Sequence, residues 1–597
     1  MADAPAPAAN KPAEPAPAGA AAAAGGEGGE DGAGPSKKAL KKAEKEAKKA
    51  AEKAKRAAEH EKNQAAAKAA AGSTEDLAKD NYGDQTAATP KVEAPRASLK
   101  EVGDEMLGKT IKLRAWIQNS RMQGAKMAFV ELREERDWAI QGVVAASPEG
   151  KPVSKQMVKW IGSVNLESFV LVEGRIEKPL EPVKSVRVSN YELHITKCYC
   201  IARGPEVLGL GLAAANRPVA NFDEEEPSAE AEAAAAAAAE ADAVEKARQG
   251  VEAASLEVPG ASMATHLSNP AMHKRAPVQQ AIADVRMATR KLFAEYLDSK
   301  GFNQFEPPCL IGASSEGGSN VFGLPYFEKQ AFLAQSPQFY KQIEIAGGRK
   351  RVYCIGPVFR AENSNTPRHM TEFTGLDLEM EIEDDYHEVA DMLEQTLLFI
   401  FRGLRERCAE QIAMIRTVYP SDDFLLPEPG KEVRLTFAEG QALLRAEGPE
   451  EYRNVSDDED MSTPQEKALG ALVREKYKTD FYLLDKFPEG ARPFYALEDP
   501  ANPKVTNAYD FFMRGQEILS GGQRIHDATT LEARLRKKGI DPASPGIKEY
   551  VDVFRSAGVP PHGGGGIGLD RVVAWFLNLP SVHLCSYYPR TPKRLTP

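Results

Sequence analysis

Between residues 110 and 202 apolar and polar positions alternate with a period of two, as in TIKLRAWI, where Ile111, Leu113, Ala115 and Ile117 share one face. Similar runs follow at MAFVEL, AIQGVVA, SFVLVEGRIE and SVRVSNYELHITK. Five short strands so spaced suit a small closed barrel. Beyond residue 277 the period lengthens to that of a helix: VQQAIADVRMATRKLFAEYLDSKG sets Val278, Ile282, Val285, Leu292, Phe293 and Tyr296 on one face, with Gly301 as the stop. Strand candidates RVYCIGPVFRAE, EFTGLDLEMEI and AYDFFMRGQEILSG then alternate with helical stretches such as HEVADMLEQTLLFIFRGLRERC. The pattern predicts an α+β chain: a small β-barrel, then an antiparallel sheet with helices packed on it.

Two stretches follow neither period. Residues 1–36 are Ala, Pro and Gly with scattered acids, too poor in apolar surface to offset the entropy of ordering. Residues 37–62 carry 11 Lys or Arg against 5 Glu, with Lys38, Lys42, Lys45, Lys49, Lys53 and Arg56 on one helical face. Residues 223–245 hold nine carboxylates, no Lys or Arg, and a run of alanines. The expected order is a disordered tail (1–36), a basic helical extension and linker (37–100), the barrel (108–202), a hinge with an acidic Ala-rich insert (203–276) and a catalytic body (277–597).

Over 597 residues, Lys+Arg 76 against Asp+Glu 87 leaves a net charge of -11. Taken as an average, that disfavours a nucleic-acid partner. The average conceals the distribution, because the basic tract concentrates a charge of +6 in 26 residues. Six cysteines without paired C-x₂-C spacing exclude a disulfide scaffold and a structural zinc site. No apolar run approaches the roughly 20 residues of a membrane span, and the N-terminus lacks an apolar signal core, so a cytoplasmic location with no membrane contact is expected.

The candidate chemistry lies after residue 350. In GLDLEMEI, Leu376, Leu378, Met380 and Ile382 face one way, and Asp377, Glu379 and Glu381 form a solvated acidic face on the other. FRAENSNTPRHMTEF places Arg360, Arg368 and His369 near Phe373; SGGQRIHD supplies Arg524; GGGGIGLDRVVAWFL runs glycines into an apolar helix bearing Arg571. GGGGIG lacks the Lys-Ser/Thr of a P-loop. Arginines, carboxylates and close-approach glycines together suit a polyphosphate with a divalent cation.

These segments, with PPCLIGASSEGGSNVF, LAQSPQFYKQ, IGPVFRAENSNTPRHMTEFTGLDLEM, YDFFMRGQEILSGGQRIHD and the terminal YPRTPKRLTP, resemble the catalytic domain of class II aminoacyl-tRNA synthetases, in particular the eukaryotic cytoplasmic aspartyl family. The resemblance continues through WIQNSRMQGAKMAFVELRE into the barrel, which is similar to the family's OB-fold anticodon domain. One departure is THLSNPAMHKRA, where His266 stands in place of a family arginine.

The resemblance implies an aspartate–tRNA ligase that activates L-aspartate with ATP and passes it to tRNA(Asp). It implies that Arg360 holds the α-phosphate and the attacking carboxylate, and Arg571 the γ-phosphate. Arg368 and His369 would bend the triphosphate, Phe373 stack under adenine and Glu362 contact its amino group. Ala361, Met370, Leu569 and Asp570 complete the ATP site, and Gly566 and Gly568 let the backbone approach the nucleotide. Mg²⁺ would be held by Glu517, Ser520 and Asp510. Lys341 and Arg524 would clamp the substrate's side-chain carboxylate, while Gln338, Glu316 and Ser520 serve its α-amino and main-chain groups under an SSEGG lid. In the barrel, Phe129 would stack on a base, with Arg121, Gln141 and Glu192 reading polar edges. Pro308 implies a homodimer and the basic tract a tRNA tether, while membership of a multi-synthetase complex stays open. The alternatives are the asparaginyl or lysyl relatives, for which Lys341 and Arg524 are poor partners, and a non-catalytic RNA-binding relative, against which every nucleotide position carries a competent residue.

Overall fold

The computed structural model describes residues 76–222, 258–314, 321–364 and 366–596. The expected tail at 1–36, the basic tract at 37–62, the acidic insert at 223–245 and Glu316 lie outside the described residues.

All five strands expected in the N-terminal half form: Thr110–Gln123, Met127–Arg133, Ala139–Ala145, Phe169–Glu177 and Glu192–Ala202. SVRVSNY does not extend the last of them; the strand starts at Glu192. A sixth, Tyr82–Asp84, pairs in parallel with Glu192–Ala202, an addition its three residues were too short to signal. Phe169–Glu177 pairs both with Thr110–Gln123 and with Glu192–Ala202, so the strand order returns on itself. The alternation works as read: Ile111, Leu113, Ala115 and Ile117 are all buried in one apolar cluster with Val130, Leu132, Val170 and Val172.

The catalytic body is built on an eight-stranded sheet in the order Val433–Thr436, Phe481–Asp485, Ala508–Met513, Gln516–Gln523, His562–Gly568, Glu372–Glu381, Arg351–Phe359, Asn303–Gln304. Pairing is antiparallel through the centre and parallel at both edges. AYDFFMRGQEILSG proves to be a hairpin: Arg514 and Gly515 both have positive φ (48° and 68°), which matches a tight turn to the twist of its strands. Helices Pro277–Ser299 and His387–Arg407 bury their apolar stripes against this sheet, and Gly301, at φ 75°, ends the first as expected.

The two parts meet through charge. Arg133 forks onto Glu167 at 3.1 and 2.8 Å, both side chains only 2% exposed, and Arg275 from the hinge adds a bond to Glu167 at 2.9 Å. Arg136 reaches Asp284 at 3.1 Å on helix Pro277–Ser299. Near the hinge the His266 and His273 rings meet edge to face with their Nδ1 atoms 3.0 Å apart. Among the described residues all six cysteines are unpaired, and no helix is long and apolar enough to cross a membrane.

Candidate active site

Register across the central strands decides what can gather on the sheet. Asp510 pairs with Ser520, Ser520 with Gly566 and Gly566 with Asp377, one transverse row. Two residues further along the strands, on the same face, the next row is Ala508, Gly522, Gly564 and Glu379. Acids at one side and glycines in the middle leave a trough. A Cβ on Gly564 would stand 2.1 Å from Glu379 Oε2 and 2.1 Å from the Leu378 carbonyl oxygen, so only glycine fits there. At Asp377 and Glu379 the acidic face of GLDLEMEI is therefore buried, against the solvated face the alternation alone suggested: they are 5% and 0% exposed, covered by the glycine strand and by helix Gln338–Ala346, while Glu381 stays partly exposed.

Burying those acids requires counter-charge. Lys341, 2% exposed on helix Gln338–Ala346, stands 3.2 Å from Asp377 Oδ1 and 3.3 Å from Glu379 Oε2. Arg524 donates from Nε to Glu379 Oε1 at 2.9 Å and from Nη2 to Oε2 at 3.3 Å. Burial pushes Glu379 up, but Arg524 and Lys341 outweigh it and hold the carboxyl below its ordinary value, so it is ionised. Gln338 lies alongside, donating to Gln342 at 2.8 Å, which in turn meets His562 at 2.8 Å and accepts from Tyr550 at 2.7 Å.

This trough opens into a cavity of about 330 Å³. At its other end Arg360 lies over the Phe373 ring, 5.6 Å from its centre, and 3.8 Å from Glu362. Arg571, from the first turn of helix Leu569–Phe576, donates to the Glu517 carbonyl at 3.3 Å and faces its carboxylate at 3.8 Å. Arg368 bonds Thr463 at 2.7 Å and Glu466 at 3.1 Å. Burial, and then Arg571, push the His369 imidazole down, so it is neutral near pH 7. Burial also raises Glu517, yet Arg571, Arg492, Arg368 and Arg360 together hold it low.

Of the residues singled out by sequence, Arg360, Glu362, Arg368, His369, Met370, Phe373, Glu517, Gly566, Gly568, Asp570 and Arg571 line this cavity, and so do Gln338, Lys341, Ser520 and Arg524. Ala361, Leu569 and Asp510 do not line it; Leu569 is fully buried and Asp510 lies behind Arg492. Sequence reasoning missed Gln335, Asp377, Arg492 and Tyr495, which line the wall. Asp377 had a signal, its place between apolar residues in a strand; Arg492 had none, since nothing local distinguishes it from a surface arginine. Hard oxygens at Glu517, Ser520 and Asp510 have the right chemistry for Mg²⁺, but in this arrangement Asp510 and Ser520 are bonded by Arg492.

In the N-terminal part, Arg121 and Phe129 are opposite one another in register, with the guanidinium 4.9 Å from the ring centre. Phe129 is half-buried, not a core aromatic. Gln141 and Glu192 are also register partners and bond at 3.2 Å, with His194 bonded to Glu192 at 2.7 Å.

Known proteins place these features. Residues 262–592 match the family of class II tRNA synthetases (D, K and N). The chain is 41% identical over 539 residues to the cytoplasmic aspartate–tRNA ligase of Homo sapiens, covering 90% of this chain and 98% of that one. To the enzyme of the same name from Arabidopsis thaliana it is 38% identical over 521 residues, 87% and 90% of the two chains. The aspartyl-tRNA synthetase structure from Entamoeba histolytica superposes with a TM-score of 0.73 at 34% identity, over 87% of this chain and 96% of that one. With its arginine-lined cavity, its buried pair of cations and this likeness along nearly the whole length of the relatives, the chain belongs to the class II tRNA synthetases, in the eukaryotic cytoplasmic aspartyl-tRNA synthetase family.

Proposed function

We propose that this chain is an aspartate–tRNA ligase of cytoplasmic protein synthesis, the activity and location carried by its relatives' names. L-Aspartate attacks the α-phosphorus of ATP through a carboxylate oxygen, the bond to the bridging oxygen breaks, and pyrophosphate leaves. A terminal ribose hydroxyl of tRNA(Asp) then attacks the carbonyl carbon of the adenylate, and AMP departs with the electron pair. With no covalent enzyme intermediate, the protein's task is to align two anions and offset their charge.

Arg360 is suited to hold the α-phosphate and the attacking carboxylate, since its fork can meet both and cancel their repulsion. Arg571, with Arg368 and neutral His369, holds the outer phosphates in a bent path. Phe373 offers its ring to adenine, and Gly566 and Gly568, both partly exposed to the cavity, let the nucleotide lie against the sheet. Glu517 and Ser520, with Asp510 behind them, would hold Mg²⁺, which neutralises phosphate charge when bound.

The buried group of Lys341, Arg524, Glu379 and Asp377 carries the assignment of the amino acid. Two cations face two carboxylates, a balanced set. If Asp377 turns to the substrate ammonium, one positive charge is left for the substrate's side-chain carboxylate. Asparagine brings no such charge and leaves a buried cation unmet, the kind of mismatch that discriminates by roughly 10⁴-fold or more. That is why the asparaginyl relatives, at 27% identity and a TM-score of 0.65 for the Pyrococcus horikoshii structure, are the weaker reading. The N-terminal strand ring is read as an OB-fold in which Phe129 and Arg121 present a stacking surface to anticodon bases, with Gln141 and Glu192 beside them. Homodimerisation would use the exposed segment at residues 308–310, where Leu310 is 46% exposed.

Arg524→Leu tests the pocket. It is expected to abolish aspartate-dependent exchange of pyrophosphate into ATP. It also strips Glu379 of a partner, so stability should fall by about 3–5 kcal/mol. The folded variant is therefore assayed well below its melting point. Exchange at the wild-type rate would refute the assignment.

A further inference from the structure

Arg492 is the cation of the cavity that no nucleotide or amino-acid role absorbs. It follows the turn Glu489–Ala491 and reaches the sheet from the cavity wall. Nη1 donates to Asp510 Oδ1 at 3.0 Å and Nη2 to Asp510 Oδ2 at 2.7 Å, while Nη1 also donates to Ser520 Oγ at 2.7 Å. The guanidinium lies 3.7 Å from the centre of the Phe487 ring, the side chain is 8% exposed, and its Nε has no hydrogen-bond partner.

This fork bonds both carboxylate oxygens of Asp510, and it holds the serine oxygen of the same transverse row. Those are two of the three side chains assigned above to Mg²⁺, and the inference rests on that assignment. A magnesium ion needs its oxygens at about 2.0–2.1 Å in near-ideal octahedral geometry. A guanidinium bonded to the same oxygens takes lone pairs the ion would use and sets a positive charge against it. Glu517 differs, because its carboxylate meets Arg571 only at 3.8 Å.

We propose that Arg492 is the resident counter-ion of the carboxylate site, a positioning residue that keeps Asp510 and Ser520 closed to free divalent cations until a nucleotide triphosphate supplies anionic oxygens for it. A buried carboxylate that stays ionised needs a cation against it, and with the site empty of substrate Arg492 is that cation. A triphosphate in the adjoining cavity offers the guanidinium a second anion of comparable strength, so the exchange costs no unpaired charge. Metal affinity thereby becomes conditional on nucleotide, and the site does not trap free metal between turnovers.

The test is Mn²⁺ binding to the full chain, read as loss of the free-ion electron paramagnetic resonance signal, with and without a non-hydrolysable ATP analogue. Wild type should bind Mn²⁺ weakly alone and at least tenfold more tightly with the analogue. Arg492→Gln should bind Mn²⁺ at least tenfold more tightly than wild type without nucleotide, and adding Asp510→Asn to it should abolish the gain. Should Arg492→Gln fail to fold, Arg492→Lys, which keeps a charge but loses the fork, is expected to bind Mn²⁺ alone several-fold more tightly than wild type. Equal nucleotide-free affinity in wild type and the folded variant overturns the proposal. No substrate is turned over in this titration, so that outcome is separate from any failure to charge tRNA with aspartate, which would instead remove the assignment beneath it.

Discussion

At Gly564 a single hydrogen atom decides whether the buried group of Glu379, Lys341 and Arg524 can exist. Its missing Cβ is what allows Glu379 to lie flat under the strand, and Glu379 is what holds Arg524 and Lys341 in place. Gly564→Ala is expected to destabilise the chain by about 3 kcal/mol or more, because the new carbon meets a backbone oxygen as well as a side chain. A urea-unfolding midpoint equal to wild type would contradict this. The sequence marked the glycine run and guessed that it opened room for nucleotide. Gly566 and Gly568 line the cavity, but the tightest contact of the run, at Gly564, serves an internal carboxylate. Such a distinction needs strand register, which a lone sequence does not contain. The same holds for Arg492: its partners Asp510 and Ser520 are 18 and 28 residues away in the chain and are brought to it only by sheet pairing.

At the scale of elements, the alternating runs and the two long amphipathic helices were legible because one face of each is buried over many residues. Two of the shorter strands were not. Tyr82–Asp84 is too brief to show a period, and Phe481–Asp485 is buried along its whole length, so its pattern cannot be told from a helix segment. The hinge is where this chain departs from the family pattern, and the structure gives that departure a content. Burial holds His266 at about 4, and burial, then His266 and Lys274, hold His273 at about 3. With their Nδ1 atoms in contact, one ring must donate and the other accept, so both are neutral. The unfolded chain binds protons near the ordinary histidine value of about 6.5, so the pair's contribution is complete above that pH and is lost as pH falls toward 4. Between pH 7 and pH 5 the melting temperature of wild type should drop more than that of the double variant His266→Gln, His273→Gln. Parallel declines would show that the pair does not titrate in this way.

For the whole molecule, the net charge of -11 says little about its partners. Five arginines and a lysine, Arg360, Arg368, Arg492, Arg524, Arg571 and Lys341, gather in one cavity of an acidic chain, where low dielectric and short distances make them count for more than the average does. The strand ring and the catalytic body are tied by Arg133, Glu167, Arg275, Arg136 and Asp284, so the paired Arg121 and Phe129 and the arginine-lined cavity are carried on one compact unit. We propose that this unit selects aspartate through the charge of its side chain. The most direct measurement is aminoacylation of purified tRNAs by the full chain with labelled aspartate, asparagine and lysine in parallel. Aspartate should charge tRNA(Asp), with asparagine and lysine lower by roughly 10⁴-fold or more. Charging with asparagine or lysine in place of aspartate would contradict the account.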